Sequence, residues 1–173
     1  NIFLGAQSFN QPAGGRPDRT IRVNTKNLAN LLANGTTEGL RVVAGSGSPT
    51  NPVWQNWEDI GFRVKVGSRD ARVGGEILVD EFLHAQAMNA VMAHANDPPG
   101  HNTLVLCTGD GNENHGFSNF VDVARNTARM GWRVEIWSWR HSISGKYKQL
   151  AREFPDRVTI HLLDEFADQI LFK

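Results

Sequence analysis

Residues 103–120 read TLVLCTGDGNENHGFSNF. A β-branched and apolar run, Leu104 to Cys107, stops at Thr108-Gly109-Asp110-Gly111-Asn112. The run is short, continuous and bounded by glycine, which is the pattern of a strand buried on both faces. Such a strand must deliver its end to a surface. Here the end carries one carboxylate between two glycines, followed by a polar cluster. In parallel α/β sheets ligands bind beyond the carboxyl ends of the strands, so Asp110 stands where sites form. A helix starting near residue 115 would point its N-terminus to the same edge. The plain alternative is a turn, because Gly, Asp and Asn are ordinary turn residues.

Outward from this stretch, strand and helix patterns alternate. Strands are expected near 40–44, 62–66, 103–107, 133–137 and 158–162. Helices are expected over Thr25–Ala33 behind an Asn24 cap, around Trp54 and Trp57, and over Glu76–Ala95, Phe117–Met130, Ser142–Phe154 and Asp164–Leu171. Residues 8–20 and 67–75 read as loops. The alternation predicts an α/β three-layer fold with a mostly parallel sheet. With 173 residues, no repeat and no composition shift, a single domain over 1–173 is expected.

Eighteen basic and eighteen acidic residues cancel, so any nucleic acid must meet a local patch. Cys107 is the only cysteine, which excludes a disulfide framework and suggests a reducing compartment. No apolar run approaches the roughly 20 residues of a membrane helix. No secretory leader and no initiator Met are present, so we expect a trimmed chain of an intracellular protein, cytoplasmic or nuclear.

Two further stretches carry chemistry. In GGEILVDEFLHAQAM, residues 74–88, Glu76, Asp80 and His84 recur every four residues and share a helix face, with Glu81 beside them. Stacked carboxylates resist joint ionisation unless a cation neutralises them, and oxygen donors suit Mg²⁺ or Mn²⁺. Alone, this stretch is better read as a solvated face; beside Asp110 it gains weight, because a metal site draws carboxylates from different elements. In WSWRHSISGKYKQLAR, residues 137–152, Arg140, His141, Lys146 and Lys148 alternate with Trp139 and Tyr147. Cations can hold phosphates and aromatic faces can stack bases; a basic helix face in solvent is an equally good reading. Arg69 and Arg72 could extend the basic rim. AGSGS at 44–48 lacks a Walker lysine, and Ser142 and Ser144 lack nucleophile-elbow glycines, which argues against an NTP loop and a serine hydrolase.

Residues 103–144, TLVLCTGDGNENHGFSNFVDVARNTARMGWRVEIWSWRHSIS, resemble the NYN domain family, a branch of the PIN-like ribonuclease superfamily. That pattern is an apolar strand ending in S/T-G-D, a helix, then G-W-x-V-E and a strand ending near a serine. VDEFLHAQ at 79–86 is similar to the family's helix that brings an acidic residue to the metal. HLLDEFADQILF at 161–172 is similar to its closing strand and helix. NIFLGAQ at 1–7 resembles the segment after the first strand in fungal-type members, D-x-S-N-I-F-x-G-A-Q.

The resemblance implies a Rossmann-like α/β/α sandwich and a metal-dependent ribonuclease that hydrolyses RNA phosphodiester bonds with Mg²⁺ or Mn²⁺. It implies that Asp80 and Asp110 are acidic metal positions, with Asn112 nearby, and that Asn1 belongs to the first motif; from the helix-face spacing, Glu76 or Glu81 would be a catalytic assistant. Arg140, His141, Lys146, Lys148, Arg69 and Arg72 would hold RNA. Two departures bear on activity. Asn112 stands where many members carry a second Asp, and the first-motif Asp would lie three residues before Asn1. The central first strand would be missing with it, leaving a slot between the strands near 40–44 and 103–107 with unpaired backbone groups. These departures keep open an alternative, a catalytically inactive PIN-like module that binds RNA or protein. Homo-oligomerisation is left open.

Overall fold

The computed structural model describes residues 2–12, 15–67, 77–109 and 119–173. It is a mixed α/β structure with parallel sheets. In chain order the elements are α1 (Ile2–Ser8), β1 (Arg22–Val23), α2 (Thr25–Ala33), β2 (Val42–Ser46), α3 (Pro52–Glu58), β3 (Arg63–Gly67), α4 (Ile77–Ala93), β4 (Thr103–Cys107), α5 (Phe120–Arg129), β5 (Arg133–Ser138), α6 (Gly145–Glu153), β6 (Val158–Leu162), a 3₁₀ turn (Leu163–Phe166), α7 (Ala167–Ile170) and β7 (Leu171–Phe172).

The strands form three separate ladders among the described residues. β4, β5 and β6 are parallel neighbours in that order, with Leu106 opposite Ile136 and Ile136 opposite Ile160. β2 and β3 form a second parallel pair, with Val43 opposite Val64. β1 and β7 pair antiparallel. No ladder joins β2 to β4, so each keeps one edge without a strand partner among the described residues. Burial is incomplete there: every residue of β2 is only partly buried, and Val105 on β4 is 36% exposed.

Alternation along β5 separates two cores. Val134 and Ile136 face α5 and α6, where Leu106, Val121, Ala124, Ala128, Tyr147, Leu150 and Val158 complete one apolar cluster. Trp137 and Trp139 face the opposite way, toward α1, α2 and the Leu163–Ile170 region, in a second cluster with Leu28, Trp57 and Ile170. Apolar clusters therefore lie on both sides of β5. Full burial of Val134, Ile136 and Leu150 contributes about 1.5–3 kcal/mol for each side chain.

Local chemistry explains most boundaries. Asn24 Oδ1 accepts from Asn27 N at 3.0 Å and starts α2, as its sequence predicts. Asn119 Oδ1 accepts from Asp122 N at 2.9 Å and starts α5. Gly131, with φ of +93°, ends α5 in a conformation that suits glycine. Three expectations are corrected. β2 begins at Val42 rather than Leu40, because the turn through Gly39 (φ +120°) extends further and leaves Leu40 exposed. α6 begins at Gly145, because Ser142–Ser144 form a turn whose last residue caps the helix through Ser144 Oγ and Lys146 N, 3.3 Å. The closing helix is a 3₁₀ turn and one α-turn, after which Leu171 and Phe172 leave it to pair with β1.

Candidate nucleic-acid and metal site

Because β4, β5 and β6 are parallel, their chain exits share one edge. Beyond β4 come Thr108 and Gly109; beyond β5 comes a turn from Trp139 to Ser144; beyond β6 comes Asp164. Backbone bonds tie these exits together. Thr108 N donates to Trp137 O at 3.0 Å, and Ser144 N donates to Gly109 O at 2.9 Å. Arg140 N donates to Asp164 Oδ2 at 2.7 Å. Inside the turn, Ser142 N and Ile143 N both donate to Trp139 O at 3.0 Å. Ser138 Oγ and Ser142 Oγ, 3.5 Å apart, also reach that carbonyl, at 3.4 and 3.3 Å. The result is a hydroxyl-rich ledge immediately before Asp110.

The acidic helix approaches the same edge. α5 follows β4 in the chain, so its N-terminus marks the carboxyl end of that strand. There Phe120 packs edge-on against His84 of α4, with centroids 4.2 Å apart and planes at 81°. Asp80, in the first turn of α4, lies one turn closer to the helix N-terminus than His84. His84 is 4% exposed, and burial lowers its pKa below the ordinary 6.5. The negative charges of Asp80, Glu81 and Asp122 oppose that shift, so all three act on the same imidazole. Asp122 is in turn held by Asn119 Nδ2 at 2.9 Å and Arg125 Nη1 at 3.1 Å. Cys107, the last residue of β4, is only partly buried by surface but packs against the Trp137–Trp139 cluster. Burial pushes its thiol up to about 12, which keeps it a neutral packing group.

The basic stretch runs from the β5 exit into α6. Arg140, His141, Lys146 and Lys148 are all exposed. Arg140 Nη2 sits 4.0 Å from Glu165 Oε1, a solvent-facing pair of little energetic weight. Lys146 and Lys148 are two apart on a helix, so they point in different directions. The aromatic half of the expectation is overturned. Trp139 and Tyr147 are both 0% exposed and belong to the cores, so neither offers a face to a base.

Among the sequence-derived site residues, Asp80, Glu81, Arg140, His141, Lys146 and Lys148 thus fall at or beside this edge. Asn1, Arg69, Arg72, Glu76, Asp110 and Asn112 lie outside the described residues. Sequence reasoning missed Ser138, Ser142 and Ser144, having weighed the last two only as nucleophiles. It also missed Asp122 and Asp164; the Asn119-to-Asp122 spacing is a capping signal that could have flagged the former. Among the described residues no group of three or more His, Cys, Asp or Glu side chains is arranged to hold a metal ion. No protein-family model, no curated protein and no solved structure matches this chain.

Proposed function

We propose that this chain is a PIN-like domain of the NYN type that hydrolyses RNA phosphodiester bonds with Mg²⁺ or Mn²⁺. The observation that supports the reading is the His84–Phe120 contact, which sets α4, the helix of Asp80, beside the start of α5, the helix that follows β4 in the chain. Two separate stretches of sequence, resembling two acidic motifs of one family, are thereby neighbours. The finer architecture is proposed with it: a Rossmann-like α/β/α sandwich to which the parallel ladders β2–β3 and β4–β5–β6 would belong.

The donors present suit a hard cation. Asp80 and Glu81 are partly exposed carboxylates on one helix turn, offering oxygen rather than sulfur or imidazole. Asp80, with Asp110 and Asn112 from the adjoining segment, would hold the ion, and Glu76 or Glu81 would assist. A bound divalent cation supplies an acidified water and neutralises phosphate charge. The chain's own share is to place the RNA. Exposed Arg140, His141 and Lys146 line the exit of β5 and the first turn of α6, where phosphates meet both side-chain cations and helix amides. Lys148, Arg69, Arg72 and Asn1 would extend that contact. The protein would work inside the cell, in cytoplasm or nucleus; among the described residues no helix is long and apolar enough to cross a membrane.

A second reading is favoured by Asn112, a neutral side chain where the resembling family often carries a carboxylate. In that reading the same edge binds RNA, or a protein partner, without cleaving it. Incubating the intact polypeptide with single-stranded and structured RNA separates the two. The nuclease reading expects cleavage that needs Mn²⁺ or Mg²⁺ and stops with a chelator. Salt-dependent RNA binding without cleavage would install the binding module instead.

A further inference from the structure

Asn34-Gly35 is the only Asn-Gly pair in the chain, and it stands where α2 ends. Asn34 is the left-handed cap residue (φ 43°, ψ 46°), its N–H shared between Asn30 O at 3.2 Å and Leu31 O at 3.3 Å. Gly35 follows with φ of +80°. Every residue from Asn34 to Leu40 is exposed. Among the described residues no hydrogen bond holds the Asn34 side-chain amide or the Gly35 N–H. A Cβ built on Gly35 would meet nothing within 4 Å, so no neighbouring segment covers the turn there.

We propose that Asn34 is a site of spontaneous covalent modification, deamidation by the Gly35 nitrogen, and that the α2 cap sets its rate. Once the Gly35 amide has given its proton to base, its nitrogen attacks Asn34 Cγ. The N–Cγ bond forms, the Cγ–Nδ2 bond breaks, and the leaving nitrogen takes up a proton and departs as ammonia. Water then opens the resulting five-membered imide. Breaking its bond to Cγ gives aspartate; breaking its bond to the main-chain carbonyl gives isoaspartate, in which the chain runs through the former side chain. Only base and water are required. Glycine hinders the attack least because it has no Cβ.

The native cap withholds the reaction. With ψ at 46°, Gly35 N lies nearly opposite Asn34 Cβ across the Cα–C bond and cannot reach Cγ unless ψ rotates. That rotation swings Gly35 and Thr36 away and breaks the 2.7 Å bond from Thr36 N to Ala33 O. Arg41 adds a restraint, its Nη2 lying 3.3 Å from both Thr36 O and Thr37 O. Attack therefore proceeds through transient opening of the last turn of α2, which needs far less free energy than global unfolding. The product weakens the helix that made it. Its new carboxylate sits at the negative end of the helix dipole, and isoaspartate lengthens the main chain. α2 carries buried Leu28 and Ala29 into the core and holds Gln169 O through Asn27 Nδ2 at 2.7 Å, so the loss reaches the packing.

The chemistry is independent of any reading of the RNA edge. Its test incubates the intact polypeptide at mildly alkaline pH beside the free peptide of residues 27–41, NLANLLANGTTEGLR, which trypsin releases between Lys26 and Arg41. Mass spectrometry and an isoaspartate assay follow residue 34, with Asn27 and Asn30 as internal controls. We expect conversion at Asn34 in both samples, faster as pH rises, and slower by about tenfold or more in the folded chain. Thr36→Pro, which deletes the N–H that bonds Ala33 O, should bring the folded rate most of the way to that of the peptide. The converted protein, more negative by one charge and separable on an anion exchanger, should unfold at a lower urea midpoint. A folded chain whose Asn34 stays an amide while the peptide converts overturns the modification site, as does conversion spread equally over Asn27, Asn30 and Asn34. Equal rates in chain and peptide, or a Thr36→Pro rate equal to wild type, overturn control by the cap.

Discussion

Replacing Trp139 with Phe tests whether this aromatic is a structural pin or an RNA platform. The substitution removes the Nε1 bond to Ile2 O, a 2.9 Å contact between two buried residues. Leaving that carbonyl without its donor costs about 1–3 kcal/mol, and the smaller ring forfeits roughly 1–2 kcal/mol of buried apolar contact against α1 and Phe9. The total, about 2–4 kcal/mol, is a large share of the roughly 5–15 kcal/mol that holds a domain of this kind together. Urea unfolding should therefore show a lower midpoint with an unchanged m-value. Below the transition, RNA affinity and its salt dependence should stay close to wild type, because the indole has no exposed face. A protein of unaltered stability whose RNA affinity falls tenfold would refute the placement of Trp139 in the core and restore the stacking role that its sequence neighbours suggest.

Charge reversal separates the two lysines of α6. Lys146→Glu, in the first helical turn at the β5 exit, should weaken RNA binding and flatten the log–log salt dependence by about 0.7 for each single-strand phosphate left unneutralised, with Lys148→Glu having the smaller effect because it points elsewhere; equal affinities for both variants and wild type across a salt series would move the RNA path off this edge. Asp18 is held down to about 2 by the Thr20 hydroxyl and amide and then by Lys173, so its stabilising contribution is complete above the ordinary value of 3.8 and is lost as pH falls through about 2. Carboxyl titration by NMR should show Thr20→Ala returning Asp18 toward 3.8, and an unmoved Asp18 would exclude Thr20 as the main cause.

Much of the fold was legible because its signals are local. The apolar run at 103–107, the Asn24 cap and the Gly131 stop each act through neighbouring backbone, and β4, α2 and the end of α5 fall within a residue of expectation. What was not legible depends on distant partners. Leu171 and Phe172 read as the end of a helix, and only pairing with Arg22 and Val23 makes them a strand. Trp139 and Tyr147 sit among cations in sequence, yet a buried face cannot be told from an exposed one without the helix and strand that cover it. The site divides likewise. Asp80 and the exposed cations could be picked by residue type and spacing. Ser144 and Asp164 matter through bonds to the Gly109 carbonyl and the Arg140 amide in other segments, which no spacing rule contains.

The central claim, that a carboxylate at the end of β4 supports metal-dependent RNA cleavage, is tested most directly by Asp110→Asn. The substitution keeps shape and removes the anionic oxygen that a hard cation requires. Cleavage of a labelled RNA by the intact polypeptide is followed in Mn²⁺ and in Mg²⁺, alongside RNA binding by the same two proteins. We expect a wild type that cleaves with the ion and a variant that binds RNA equally well but has lost cleavage by about 100-fold or more, on the scale of removing one group that stabilises charge in a transition state. A wild type that binds without cleaving would contradict the nuclease, and a variant that cleaves as fast as wild type would contradict the role given to Asp110.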